Sequence, residues 1–363
     1  MSQNVSLADR IATLDWLRLV AALAVVAFHY LFRGAAADGL LDSGYPQAAG
    51  IAIYGYLGVH LFFLISGYVI AWSAEGRGWV DFAVARFVRL YPGFLVCMTL
   101  TFAVMFAVQP EWGSVTVRQY VANLIMFAPA LGEGFVDGVY WSIILELIFY
   151  GWVTVALMSG AFQALRLEFV AAWLVLSAVN EFSIGSEAMR LLFLTEYGPL
   201  FASGILIHHI QTRGRSAEAL VLLAASFMLS TSLMAVGKGW MQGHYGVSVP
   251  MAGLAIANLA MHGLLIGAVL LRAKVSPTGL SLALGGLTYP LYLLHQHIGY
   301  VAINATAPVL GKWLAAALVA AAMLTLSWLI WRWIETPLRH RLMRAIKPVL
   351  SRLPLRSGPP QPA

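Results

Sequence analysis

The chain has 363 residues, 60% of them hydrophobic and only 10% charged, against about a quarter charged in soluble globular domains. Apolar runs of about 20 residues, each long enough to cross a bilayer, recur from end to end, which excludes a soluble domain and predicts an all-α, polytopic membrane bundle. The net charge of +6 reads as a topology signal, with no nucleic-acid partner expected, and the single cysteine, Cys97, excludes an internal disulfide and a cysteine-rich metal site.

The opening stretch MSQNVSLADRIAT lacks the basic, apolar, small-residue order of a secretory peptide, so the first span is expected to stay in the mature chain. Apolar runs between polar breaks place spans at 14–33, 53–73, 86–108, 140–159, 167–180, 191–210, 218–236, 248–271, 283–306 and 313–333, about ten in all. The segment VANLIMFAPA (121–130) is too short to cross and reads as a re-entrant or interfacial piece. The last residues, SRLPLRSGPPQPA, are proline-rich and polar and are expected to be disordered. A membrane domain over 1–340 and a cytoplasmic tail over 341–363 follow, with no soluble enzymatic domain expected at either end.

Lysine and arginine collect on the cytoplasmic side of membrane proteins. With the amino terminus inside, the inner connections hold Arg10, Arg77, Arg86, Arg89, Arg166, Arg213, Arg215, Arg272 and Lys274, and the tail adds Arg339, Arg341, Arg344, Lys347, Arg352 and Arg356. The outer connections hold only Arg33, Arg118, Arg190, Lys238 and Lys312. Both termini are therefore expected in the cytoplasm.

An ionisable group inside a span is costly and marks a functional site by default. Arg18 opens the first span and His29 follows eleven residues later, about 16 Å along the axis and close to three full turns, on nearly the same face. Arg86 and Arg89, three residues apart in ARFVRLYPGF, place two guanidiniums on one side of a helix end. Two such forks suit phosphate oxygens, although ordinary cytoplasmic flanking would also put them there. In VYWSIILELIFYGW, Glu146 lies about two turns from the outer end, beside Ser142. A carboxylate at that depth must pair or be protonated, and a pair with His29 would suit both groups. The ninth span adds Tyr292, His295 and His297, and the second adds His60 and a small Ser66-Gly67 pair that permits close helix approach. The ionisable groups thus fall into two layers, a cationic mouth (Arg18, Arg86, Arg89) and an outer acid–base cluster (His29, Glu146, His295, with His60).

These segments resemble acyltransferase family 3, the integral-membrane O-acyltransferases. The resemblance is carried by Arg18-x10-His29, GVHLFFLISGYVI, RFVRLYP, YWSIILELIFY, TYPLYLLHQHI and WIETPLRH, six motifs in order from about residue 14 to 340. It implies transfer of an acyl group, most often acetyl, from acyl-CoA to a hydroxyl of a bacterial surface polysaccharide, or in some members of a macrolide. It further implies that His29 is the essential histidine and Arg18 its paired basic residue, that Arg86 and Arg89 bind the coenzyme, and that Glu146 is the motif's acidic residue. An acidic or amide residue is common in the family where this chain has His60, which leaves the role of His60 open. Lacking an appended esterase-like domain, the chain is similar to the single-domain exopolysaccharide and O-antigen acetyltransferases.

The expected reaction takes acetyl-CoA from the cytoplasm, with Arg86 and Arg89 on its phosphates and its thioester carried past Arg18 to His29. His29 deprotonates the acceptor hydroxyl, with Glu146 orienting the ring, and Tyr292, His295, His60 and Ser142 position the substrate. An acyl-histidine route is equally allowed. The acceptor is expected to be an extracytoplasmic or lipid-linked glycan at the bacterial inner membrane. No metal is expected, since no close ligand-spacing pair supports a site of His29, His60 and His295. A proton-coupled transporter would use similar buried groups but would show internal repeats, and none is apparent.

Overall fold

The computed structural model describes residues 11–36 and 39–352, and among them there is no strand. The opening stretch read as lacking a secretory peptide, except for residues 11–13, and the polar end of the tail, 353–363, lie outside the described residues. The helices are α1 (Ala12–Leu31), α2 (Pro46–Ala52), α3 (Leu57–Ala74), α4 (Trp79–Val108), α5 (Val117–Asn123), α6 (Trp141–Met158), α7 (Ala161–Ala164) and α8 (Arg166–Val179). They continue as α9 (Glu187–Phe193), α10 (Gly198–Arg213), α11 (Ala217–Tyr245), α12 (Met251–Leu271), α13 (Gly279–Leu310), α14 (Lys312–Ile330) and α15 (Thr336–Arg352).

Nine helical segments among the described residues are long and apolar enough to cross a membrane. The tenth expected span is α13, which at 32 residues is long enough but falls outside that set. Its Thr288, Tyr289, Tyr292, His295, Gln296, His297 and Asn304 dilute an otherwise apolar run. The helix least like a lipid-facing span is the one richest in buried polar side chains. The short 121–130 segment, expected to be re-entrant or interfacial, is not one continuous helix: α5 starts at a Thr116–Gln119 capping box and stops at Asn123, and a single tight turn follows at Ala128–Leu131. The tail drawn from 341 instead begins as helix, because α15 runs on to Arg352. Leu338, Leu342 and Ile346 recur there at helical spacing against Arg341 and Arg344.

The chain divides into two compact units. The first comprises Met1–Val59, Arg89–Ile144 and Gly267–His340, and the second His60–Val88, Leu145–Ile266 and Arg341–Ala363. In the first, α13 packs against both α1 and α14. Glycines set how closely: a Cβ at Gly285 would collide with the Asp15 carboxylate, and one at Gly299 with the Tyr30 ring. In the second, α10 packs against α8 and α11. The Ser66-Gly67 pair lies where α3 meets α10, and Gly67 faces the backbone of Phe201 while Gly204 faces the backbone of Leu64 and Tyr68. Neither position has room for a side chain. Large apolar side chains such as Met228, Ile256, Leu259 and Leu270 remain exposed, as expected of helices whose outer face meets lipid rather than water.

Candidate active site

In the first unit, α1 carries His29 and α13 carries His295, both buried. His295 Nδ1 lies 3.1 Å from the Leu291 carbonyl and 2.9 Å from that of Tyr292. Both partners only accept, so Nδ1 bears the proton and Nε2 presents a lone pair. That lone pair meets His29 Nδ1 at 3.1 Å, and the same nitrogen is 2.8 Å from the Val25 carbonyl. His29 is therefore protonated on Nδ1, and its Nε2 is the basic atom. The rings stand edge to face, with centroids 4.7 Å apart. Tyr30 donates to the His295 carbonyl at 2.7 Å and pins the α13 backbone beside the pair.

Arg33, just past the end of α1, sets Nη1 3.5 Å from His29 Nε2 and donates to Gln296 Oε1 at 3.3 Å. A guanidinium thus sits beside the basic nitrogen. A second group stands close by in chain order: Ser142 and Tyr292 share a hydrogen bond of 2.7 Å, and Tyr292 also donates to the Val139 carbonyl at 3.2 Å. Asp137, fully buried, accepts from the backbone N–H groups of Val139 at 3.2 Å and His297 at 3.0 Å. It anchors the loop entering α6 to α13.

Arg18 pairs with Asp15 at 3.4 Å, one turn back on α1. Arg89 is bound to Glu335 and lies 5.4 Å over the Tyr289 ring. Glu335 closes a π-helical turn, Trp331–Glu335, within the WIETPLRH segment, and such turns favour functional positions.

The remaining expected residues belong to the second unit. Glu146 accepts from Ser66 at 3.2 Å and also from Tyr150. The Arg86 guanidinium lies 5.9 Å over the Tyr150 ring and 5.7 Å over that of Phe82. His60 packs edge-on to Tyr197 and lines a small pocket with Glu196, Tyr197 and Ser230.

Several expected residues are therefore joined, and some partners differ from those anticipated. The group bonded to His29 is His295, expected as a substrate-positioning residue. Arg33, Gln296, Asp137 and Glu335 carry site contacts that sequence reasoning passed over. Arg33 had been counted only among the outer cations, and the other three sit at polar breaks or in α13, where a polar residue is unremarkable. Glu335 alone had a usable signal, a carboxylate at the end of the last apolar run. Among the described residues no group of three or more His, Cys, Asp or Glu side chains could hold a metal ion.

The described residues thus form a multi-pass helical membrane protein in which a buried pair of imidazoles stands beside a guanidinium. Residues 11–332 match the acyltransferase domain of acyltransferase family 3, and the chain belongs to that family. Acyltransferase MdmB of Streptomyces mycarofaciens is 30% identical over 149 residues, which is 39% of this chain and 38% of that protein. The O-acetyl transferase of Shigella phage Sf6 is 29% identical over 179 residues, 44% of this chain and 51% of that protein. The chain thus spans about half or less of the length of these curated relatives. No solved structure matches it.

Proposed function

We propose that this protein is an O-acetyltransferase of the bacterial inner membrane, moving acetyl from acetyl-CoA to a hydroxyl of an extracytoplasmic or lipid-linked polysaccharide. The observation that carries the reading is His29, whose Nε2 is left basic by the bonds that occupy Nδ1. Family membership supports acyl transfer, and the likeness to a phage O-acetyl transferase supports acetyl as the group moved.

In this reaction His29 Nε2 takes the proton of the acceptor hydroxyl as the oxygen attacks the thioester carbonyl. Positive charge then spreads over the His29 ring, and the Nδ1–H bond to His295 strengthens as it does so. Arg33, 3.5 Å from Nε2, is placed to donate to the oxyanion that develops on the carbonyl. The carbon–sulfur bond breaks, the imidazolium returns its proton to the departing thiolate, and the products are the acetyl ester and free coenzyme A. Arg86, Arg89 and Arg18 are assigned to the coenzyme, and Ser142, Tyr292, His60 and Glu146 to the acceptor side and its orientation. Engaging a phosphate through Arg89 requires it to share or exchange its bond to Glu335.

The test follows free thiol release from acetyl-CoA by purified protein, with and without a periplasmic glycan fraction, for wild type and His29→Ala. Release that needs both His29 and glycan is the expected result. Release by wild type without glycan would indicate an acyl-enzyme or hydrolysis. An absence of turnover and of acetyl-CoA binding under all conditions would overturn the assignment.

A further inference from the structure

Among the described residues the largest fully buried side chain is that of Arg166, and nothing in the reaction above uses it. It stands at the first residue of α8, in the second unit. Its Nε donates to the Phe162 carbonyl at 3.2 Å, its Nη2 donates to Glu75 at 2.7 Å, and the Phe162 ring lies 4.9 Å beneath its plane. Nη1 is buried and has no hydrogen-bond partner. A guanidinium has five N–H bonds to satisfy, and leaving charged donors buried and unmade is expensive. A second donor in the same place shares the defect: His209 on α10 is 8% exposed, and its Nδ1 is buried without a partner.

The charge balance around these atoms is one-sided. Arg213, in the last turn of α10, donates to the Gln163 carbonyl at 3.1 Å and is close enough for its charge to act on both Glu75 and His209. Among the described residues Glu75 is the carboxylate facing the group, with a side chain 37% exposed. Burial pushes its carboxyl up, but the bond to Arg166 and the charges of Arg166, His208 and Arg213 outweigh that and hold it below the usual carboxylate range. Two guanidiniums and two imidazoles thus surround one carboxylate. Arg166 Nη1 and His209 Nδ1 are both buried without a hydrogen-bond partner among the described residues.

We propose that Arg166, His209 and Arg213 form a binding site for a phosphate group. The donors come from two helices, Arg166 from α8 and His209 and Arg213 from α10, which suits a tetrahedral oxyanion with several acceptor oxygens better than a planar carboxylate. Two sources have this chemistry. One is the 3′-phosphate of the acyl donor, and that assignment rests on the acetyl-CoA reading above. The other is the headgroup of an anionic phospholipid, which does not.

The test uses the full chain in phosphatidylcholine nanodiscs, as wild type, Arg166→Gln, His209→Asn and Arg213→Gln. Calorimetry compares coenzyme A with 3′-dephospho-coenzyme A. If the coenzyme fills the site, wild type prefers the 3′-phosphate by about tenfold or more, as expected for one charge-assisted hydrogen bond. Each variant then loses that preference while binding the dephospho form as before. If a lipid fills it, wild type melts higher when phosphatidylglycerol replaces half the phosphatidylcholine, and the variants lose that shift. Should Arg166→Gln fail to fold, His209→Asn and Arg213→Gln decide the matter. Variants that keep both the ligand preference and the lipid shift of wild type, or a wild type showing neither, would overturn the proposal. Failure of wild type to bind either coenzyme form would sink the donor reading instead, leaving the lipid comparison to decide.

Discussion

The protonation pattern around His29 follows from which atoms can only accept. Backbone carbonyls claim Nδ1 of both imidazoles, and the single lone pair left between them, on His295, turns His29 to offer Nε2. In the proposed reaction His295 therefore acts through His29 rather than on substrate, as a positioning residue. Replacing His29 by Ala would remove the proposed general base, and kcat is expected to fall by about 10²–10⁴-fold. For His295→Ala the expected loss is smaller, about 10²-fold in kcat, with KM little changed. The double variant is expected to be no slower than His29→Ala alone, because the two residues work as one unit. A double variant whose losses multiply would show that His295 has a role of its own. Arg33→Gln removes the donor beside Nε2 and is expected to cost about 10²–10³-fold in kcat, again measured by thiol release. The histidines were legible in the sequence because each interrupts an apolar run. Their pairing was not, because spacing along a span gives depth and face but not which neighbouring helix supplies the partner. Glu146 illustrates the same gap: its depth suited His29, while the hydrogen bonds it makes are with Ser66 and Tyr150.

At the scale of elements, close approach rather than apolar content decides which helices meet. Lipid is as apolar as leucine, so packing inside a bilayer relies on small residues that let backbones touch. The α3–α10 crossing has this form on both sides, with Gly67 against the Phe201 backbone and Gly204 against that of Leu64 and Tyr68. Backbone cannot retreat as a flexible side chain can. Gly67→Ala and Gly204→Ala are each expected to destabilise by about 1–3 kcal/mol through overpacking, read as a lower melting temperature in detergent. Gly237→Ala on α11, where a Cβ meets nothing within 4 Å, is the control and is expected to leave the melt unchanged. Most span boundaries were readable to within a few residues, since hydropathy changes sharply where helices end, but α4 begins at Trp79 rather than 86, α11 runs to Tyr245 rather than 236, and the expected span 191–210 is interrupted between α9 and α10. Two features escaped. The continuation of α15 beyond 340 depends on a polar, amphipathic pattern that apolar runs do not mark, and α13, expected over 283–306 through Pro290, runs on through Pro308 to Leu310. The Ser66-Gly67 pair was legible as a contact point, but its counterpart Gly204 lay unmarked in the middle of an ordinary apolar span.

For the whole molecule, the distribution of cations makes a claim about sidedness that each unit tests internally. In the second unit Arg166 bonds to Glu75, and Arg213 bonds to the Gln163 carbonyl. The connections after α3, before α8 and after α10 therefore lie together, as alternating spans require if all three face the cytoplasm. In the first unit Thr13 donates to the Ala268 carbonyl at 2.7 Å, joining the start of α1 to the end of α12, both assigned inside. At the other end of that unit Asp42 N–H donates to Asn304 at 3.1 Å and Lys312 to the Gly44 carbonyl at 2.7 Å, joining two connections assigned outside. These contacts agree on which connections share a side, and the excess of arginine and lysine is what predicts which of them face the cytoplasm. Cys97 is the only cysteine in the sequence and is buried, so a Cys97→Ala background isolates single reporters. Asp42→Cys and Glu133→Cys are expected to react with a membrane-impermeant maleimide in intact cells once the outer membrane is permeabilised. Arg215→Cys and Lys274→Cys are expected to react only after the inner membrane is opened as well. The reverse pattern would invert the topology and overturn the proposed approach of acetyl-CoA to Arg86 and Arg89 from the cytoplasm. A split between Asp42 and Glu133 would contradict the alternation of spans itself, because the chain from one to the other crosses the bilayer an even number of times in the assigned topology.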